Sequence, residues 1–531
     1  MLRQLAYLWP YLRPHRRKLY LGLFTILVAV LLSLVSPVLV GRAIDAMRRG
    51  VPQSTLLGYA GTLVGFTVLT GIFSYWQRML LVAMSRDVEY ELRNDYFRHL
   101  ERQPPSFFVD YPTGDLMARA TNDLQAVRML CGPAIMYTAN TLFTAVLALV
   151  FMVQINFSLT MLALFTMPIL AITTNVFGGR IHVMFSSVQE KYSGISTKVQ
   201  ESLAGVRVVR AYARERQEEA DFRRVNLQYL ETNRRLIGWS VAFTPLLQAL
   251  VGLGFVAVLW YGGLLVIRYQ ISIGQFVTFQ LFLGRLVWPM IATGWVINLA
   301  QRGTASLIRI RKIMGVQPAI RDEEPLVDPG EIYGTVHVRN LTFAYREGLE
   351  PVLSNIELQI QAGQTVAIVG RTGSGKSTLL SLIPRLIDPP EGSLFVDDLD
   401  VRRIPLARLR SSIGMVPQET FLFSETIRAN IALGVPDATD ERVLEAARLA
   451  GLEQDLGSFP YGLNTLVGER GLTLSGGQKQ RVALARALLR DSRILLLDDC
   501  LSAVDTHTEE QILENLRTVF KGRTVFLVSH R

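Results

Sequence analysis

Six stretches of about 20 mostly apolar residues crowd the first 300 positions of this chain, and nothing after them repeats the pattern. They run Leu19 to Val40, Leu56 to Gln77, Gly132 to Ile155, Leu159 to Gly178, Leu236 to Ile267 and Ile273 to Ala300. A run of that length crosses the hydrocarbon of a bilayer as a helix, because lipid offers the backbone no hydrogen-bond partners. Beyond residue 315 the texture changes to short apolar runs, Gly-rich turns and charged stretches, the pattern of a soluble domain. The expected architecture is multidomain. An all-α six-helix transmembrane domain with long cytoplasmic helical extensions occupies 1–315, a polar, acidic linker 316–334, and an α/β domain 335–531.

Orientation follows from the basic residues. Arg3, Arg13, Arg16, Arg17 and Lys18 precede the first span, and eleven Lys or Arg lie between 180 and 235, against none between Gln154 and Ser158. Both termini and both long connections are therefore expected in the cytoplasm of a multi-pass protein of the cell inner membrane, although Arg42, Arg48 and Arg49 fall on the outer side. The first span is too long for a secretory h-region and is expected to be retained. Leu56 to Leu100 contains no breaker until Pro104 and Pro105, so it reads as one helix of about 68 Å, of which about 30 Å lies in hydrocarbon. The rest projects toward a soluble motor. Arg285, near the middle of the last span, is costly there unless it faces water, protein or a partner, and is expected to line a translocation cavity or a subunit interface.

A net charge of +10 raises the question of nucleic acid, but the basic residues are scattered and no aromatic-interleaved basic patch occurs, so no nucleic-acid partner is expected. Cys131 and Cys500 are the only cysteines, which implies neither a disulfide framework nor a metal cluster.

The soluble part carries the chemistry. An apolar run from Gln364 to Val369, expected to be a buried strand, leads into Gly370, Arg371, Thr372, Gly373, Ser374, Gly375, Lys376, Ser377 and Thr378, and then into an apolar helical segment. That is a phosphate-binding loop, in which glycines let backbone N–H groups curl inward. Lys376 is placed for the β and γ phosphates of ATP and the Ser377 hydroxyl for Mg²⁺. About 120 residues later, Ile494 to Leu497 is an apolar strand ending in Asp498 and Asp499; Asp498 at its carboxyl end is placed to hold Mg²⁺ through water. Between them Leu474, Ser475, Gly476, Gly477 and Gln478 open a helix, with Ser475 as its N-cap and two glycines baring first-turn amides. A second anion-binding helix end implies that ATP is clamped between two copies of the domain.

Taken together, these residues resemble the ATP-binding cassette exporters over essentially the whole chain. The phosphate loop, Gln418 in Val416-Pro417-Gln418, the signature Leu474 to Gln478, Asp498, the Ser502-Ala503-Val504-Asp505 loop and His530 occur in the family's order. The resemblance implies that Tyr345 stacks on adenine, that Gln418 senses Mg²⁺ and the attacking water, and that His530 contacts the γ phosphate. It also makes Phe107 to Asp123 and Glu201 to Tyr212 the two cytoplasmic coupling segments. The expected activity is ATP-driven export of small amphipathic molecules, drugs, peptides or lipids by alternating access; an ATP-gated channel or regulatory membrane protein is the alternative built from the same parts.

Three departures from the family pattern carry expectations of their own. Asp499 stands where the family has its catalytic glutamate, and a carboxylate one methylene shorter is expected to hydrolyse slowly at this chain's own site. With Leu283 to Pro289 and Leu497-Asp498-Asp499-Cys500, this resembles the degenerate-site subunit of heterodimeric bacterial multidrug-type exporters, so a second, non-identical half is the expected partner, with a homodimer as the alternative. Leu466 replaces an acidic residue in the loop before the signature. Family cassettes usually continue past the position of His530, which implies C-terminal truncation.

Overall fold

The computed structural model describes residues 6–346, 348–468, 471 and 474–529. Six long helices dominate the first part: α1 Arg16–Arg48, α2 Gln53–Glu101, α3 Thr113–Ile155, α4 Phe157–Ala204, α5 Glu215–Ile267 and α6 Ile273–Met314. Each expected span lies within one of them. Among the described residues five, all but α4, are long and apolar enough to cross a membrane, and α4 is the sixth by position. α2 continues for 49 residues without interruption, so the expected long helix is present and slightly longer than the sequence pattern suggested. α3 is helical well before its span begins, with π turns at Arg119–Asp123 and Leu130–Ala134, the second of which contains Pro133.

Caps mark the sharp reversals. Asn156 accepts a hydrogen bond from the Leu159 amide to start α4, and Ser272 and Gln275 form a reciprocal capping box at α6. Asp45 of α1 accepts from the Gly274 amide and pairs with the Ser272 hydroxyl, pinning that turn to the end of α1. α6 packs on α1 and α3 around Ile26, Leu34, Phe279 and Phe282. α4 and α5 lie along each other, joined by the short helix Val206–Ala211 and by Lys198–Glu218 at 2.7 Å.

The chain divides into two compact units, 1–97 with 117–315 and 98–116 with 316–531. The short helix Pro105–Asp110 thus belongs with the second unit, where Gln103 donates to the Val316 carbonyl at 3.1 Å and Arg346 pairs with Asp110 at 2.7 Å. The segment 316–334 is fastened to that unit as well: the Val327 amide donates to the Arg403 carbonyl, and Asp397 accepts from the amides of Tyr333, Gly334 and Thr335.

Two sheets make up the soluble unit. β1 Val336–Phe343, β2 Leu353–Ile360, β4 Leu394–Val396 and β5 Leu399–Asp400 form an antiparallel sheet in the order β2-β1-β4-β5. β3 Thr365–Ile368, β6 Ile413–Val416, β7 Ile494–Asp498 and β8 Thr524–Val528 form a parallel sheet in the order β3-β8-β7-β6. β7, central, is buried along its whole length, as its apolar run requires. β3 departs from the expected buried strand. It is the sheet's edge, paired only with β8 among the described residues, so Thr365 and Ala367 are exposed, and Val369 beyond it is 73% exposed. Helices α7 Lys376–Leu382, α8 Gly476–Leu489 and α9 Thr506–Phe520 complete the site's scaffold.

Candidate active site

Strand register gathers the site at one edge. Ile368 of β3 lies beside Val528 of β8, Val528 beside Asp498 of β7, and Leu497 beside Val416 of β6. The phosphate loop, Asp498, Asp499 and Gln418 therefore leave the sheet at neighbouring carboxyl ends, where open parallel sheets bind ligands. His530 lies outside the described residues.

Gly370, Arg371, Thr372, Gly373 and Ser374 are exposed, as a loop that receives a ligand must be. Gly375 has φ +86°, and a Cβ there would lie 2.7 Å from a Leu353 methyl and 3.0 Å from the Val352 carbonyl oxygen, so neither the turn nor the space admits a side chain. Lys376, buried, donates from Nζ to the carbonyls of Gly370 at 2.8 Å and Arg371 at 2.9 Å. The ammonium thus sits inside the curl of the loop, held by carbonyls that an anionic oxygen would outcompete. Ser377 is half-buried beside it, and Thr378 shares a hydrogen bond of 2.9 Å with the Tyr345 hydroxyl. Tyr345 is 56% exposed, and its ring and that of Phe343 meet in a T-shaped pair with centroids 5.3 Å apart.

Asp498 is 3% exposed, and its Oδ1 has no hydrogen-bond partner. A buried carboxylate oxygen left unbonded costs about 1–3 kcal/mol, a deficit that a hydrated divalent cation at the strand end removes. With the Ser377 hydroxyl and the exposed Gln418 side chain as further oxygen donors, the residues present fit Mg²⁺. Asp499 has φ +49°; its amide donates to the Val528 carbonyl at 3.1 Å, and its carbonyl accepts from the Ser502 hydroxyl at 3.0 Å. Burial pushes the neighbouring Cys500 thiol up to about 12, which removes it as a nucleophile.

The signature forms the expected helix start. The Ser475 hydroxyl accepts from the Gln478 amide while Gln478 reaches back to the Ser475 amide. A Cβ on Gly477 would lie 2.8 Å from the Ala503 carbonyl oxygen, so the Ser502–Asp505 loop approaches only because this residue is glycine. Sequence reading missed the residues that clamp this region. Gln480 bonds both the Ser502 hydroxyl and the Ala503 amide at 2.9 Å, and Asp455 accepts from Gln478 at 2.8 Å and Arg481 at 2.6 Å. Asp505 caps α9; hydrogen bonds from Thr508 hold its carboxyl below the ordinary range.

Of the coupling segments, the first has Phe107 buried in the short helix Pro105–Asp110, whereas Val208 and Tyr212 within the second are 61% and 75% exposed. Leu466 is exposed also, bridging to Thr426.

Residues 19–290 match the family model described as ABC transporter transmembrane region, and residues 353–502 match the one described as ABC transporter. The chain is 38% identical over 526 residues to the multidrug resistance-like ATP-binding protein MdlA of Escherichia coli, covering 98% of this chain and 88% of that one. It is 38% identical to the probable multidrug resistance ABC transporter YheI of Bacillus subtilis, over 97% and 89%, and 32% identical to an ATP-dependent lipid A-core flippase of Syntrophus aciditrophicus, over 98% and 86%. A bacterial Atm1-family ABC exporter with ATP bound superposes with a TM-score of 0.77 at 25% identity, covering 97% of this chain and 91% of that one. The helical membrane unit, the cassette behind it and these matches along nearly the whole length make the chain a member of the ABC exporters, membrane-embedded ATPases that couple hydrolysis to transport and work as dimers.

Proposed function

We propose that this chain is the slow-site half of an asymmetric exporter of small amphipathic molecules in the cell inner membrane, with both termini cytoplasmic. ATP is clamped between the phosphate loop of one cassette and the signature of the other, and closure drives the membrane cavity outward. Tyr345 stacks on adenine, Gly370 to Thr378 wrap the phosphates, and the turn Ser475 to Gln478 faces the nucleotide of the partner's site, its Gly476 and Gly477 amides offered to the phosphates while those of Ser475 and Gln478 close the capping box. Ser377, Asp498 and Gln418 hold Mg²⁺, whose charge offsets that of the phosphates. Asp499 positions water poorly because its carboxylate falls about 1 Å short, so ATP dwells at this site while the mate's site turns over. The names of the relatives, multidrug and lipid, support the amphipathic substrate class.

The observation that carries the coupled reading is the Asp110–Arg346 pair. It ties the helix that follows α2 to the cassette strand end bearing Tyr345. Both side chains are more than half exposed, so the pair contributes little stability, about 0–1 kcal/mol, and its placement suits transmission rather than folding. In proteoliposomes, ATP-dependent uptake of an amphipathic dye against its gradient is expected; Asp110→Arg lowers the dye moved per ATP hydrolysed, and Asp110→Arg with Arg346→Asp restores it. A wild-type protein that dissipates dye gradients with ATP but never builds them is a gated channel instead. Robust ATPase from the purified chain alone, abolished by Asp499→Ala, would replace the asymmetric pair with a homodimer.

A further inference from the structure

Among the six apolar stretches, Arg285 is the single Lys, Arg, Asp, Glu or His. It is half-buried on α6 and lines a cavity of about 290 Å³ with Ser33 of α1, Gln77 of α2, Asn140 and Thr144 of α3, and Trp288. Among the described residues no carboxylate or carbonyl pairs with its guanidinium. A cation at this depth needs a counter-charge. A second copy of the chain supplies none, because its spans hold no acid either.

The rest of the lining has a definite polarity. The Ser33 hydroxyl donates to the Val30 carbonyl at 2.8 Å and that of Thr144 to Asn140 Oδ1 at 3.2 Å, so both face the cavity as acceptors only, while the Asn140 NH₂ remains a donor. Gln77 is 6% exposed, yet its Oε1 has no partner. Four helices therefore converge one fixed cation, an amide donor and an orphaned acceptor on one space walled on one side by an indole. Concave, mostly preformed clefts with a few convergent polar groups bind small molecules.

We infer that this cavity is a substrate subsite for amphiphiles with an anionic head group that also bears a hydroxyl. The anion pairs with Arg285 and accepts from Asn140, the hydroxyl donates to Gln77 Oε1, and the apolar tail lies toward Trp288. This deepens the exporter reading by naming its substrate class and rests on that reading for transport, but not for binding.

The test uses the full chain, with its mate where it has one, in phosphatidylcholine vesicles. Two probes carry the same fluorescent acyl chain, one on lysophosphatidic acid and one on a trimethylammonium head. Nucleotide-free binding is expected to favour the phosphate probe at least ten-fold; Arg285→Gln removes that preference, Arg285→Lys restores most of it, and Gln77→Leu weakens the phosphate probe alone. The ratio of the two affinities is insensitive to how much protein folds. ATP-driven uptake is read separately. Selective, Arg285-dependent binding without uptake leaves the subsite standing and removes the exporter reading, whereas uptake with a head-group ratio unmoved by Arg285→Gln overturns the subsite. Competition by added phosphatidylglycerol identifies bilayer lipid as an occupant of the same anion site. Loss of dimer in Arg285→Gln, with the ratio intact, would overturn the inference by assigning the counter-charge to a carboxylate of the mate.

Discussion

Asp499 is pinned on both sides of its Cα, by the Val528 carbonyl and by Ser502, so its carboxylate cannot advance by a shift of the main chain. Asp499→Glu, which restores the missing methylene, is expected to raise phosphate release at this site about ten- to a hundred-fold in the reconstituted dimer, while Asp499→Ala changes it little. At the signature, Ser475→Ala removes one half of the capping box and is expected to lower cassette stability by about 1 kcal/mol in denaturant titrations. The phosphate loop, the signature and Asp498 were legible because each is a contiguous motif whose spacing is dictated by backbone geometry. Gln480 and Asp455 were not, because their partners lie more than twenty residues away and a polar residue on a helix gives no sign of what it will meet.

Among the elements, the start of α3 is held against α6 by Asp123, which accepts from Arg309 Nε at 2.9 Å and from the Ser306 hydroxyl at 2.9 Å. Burial pushes this carboxyl up, but the hydrogen bonds from Arg309 and Ser306 outweigh it and hold it below the ordinary range. A depressed folded-state value means the contribution is complete above the ordinary carboxylate pKa of about 3.9 and is lost as pH falls through the lower folded value. Asp123→Asn is therefore expected to lower the thermal midpoint by the same amount from pH 7 to pH 5, with the gap to wild type closing only below about pH 4, as read by intrinsic fluorescence. The six helices could be read directly from the sequence, since hydrocarbon sets both their length and their purity. The π turns of α3 could not, because Arg119–Asp123 contains no residue that marks one in the sequence, and Pro133 within Leu130–Ala134 reads equally as a kink or a helix end. The exposure of β3 was equally hidden: an apolar run does not say whether its strand has one neighbour or two.

For the whole molecule, a membrane part followed by a cassette was evident in the change of texture near residue 315, and the two family matches fall in that order, at 19–290 and 353–502. The identity of the second half was not evident, since one chain presents only its own side of each clamp. If the pair is asymmetric, rapid filtration after a single turnover should find one nucleotide retained per dimer, and Lys376→Ala in this chain should abolish that retained fraction while the mate's turnover persists. The unbroken α2 sets the mechanics of such a cycle. A rod of 49 residues, about 73 Å long and free of any joint, has no place to absorb strain, so a pivot of about 10° near one tip sweeps the other through roughly 13 Å. Amplification of that size lets a sub-nanometre rearrangement at the nucleotide open a passage wider than the molecule it releases, and any glycine pair or proline introduced midway would dissipate the stroke as bending before it reached the far leaflet.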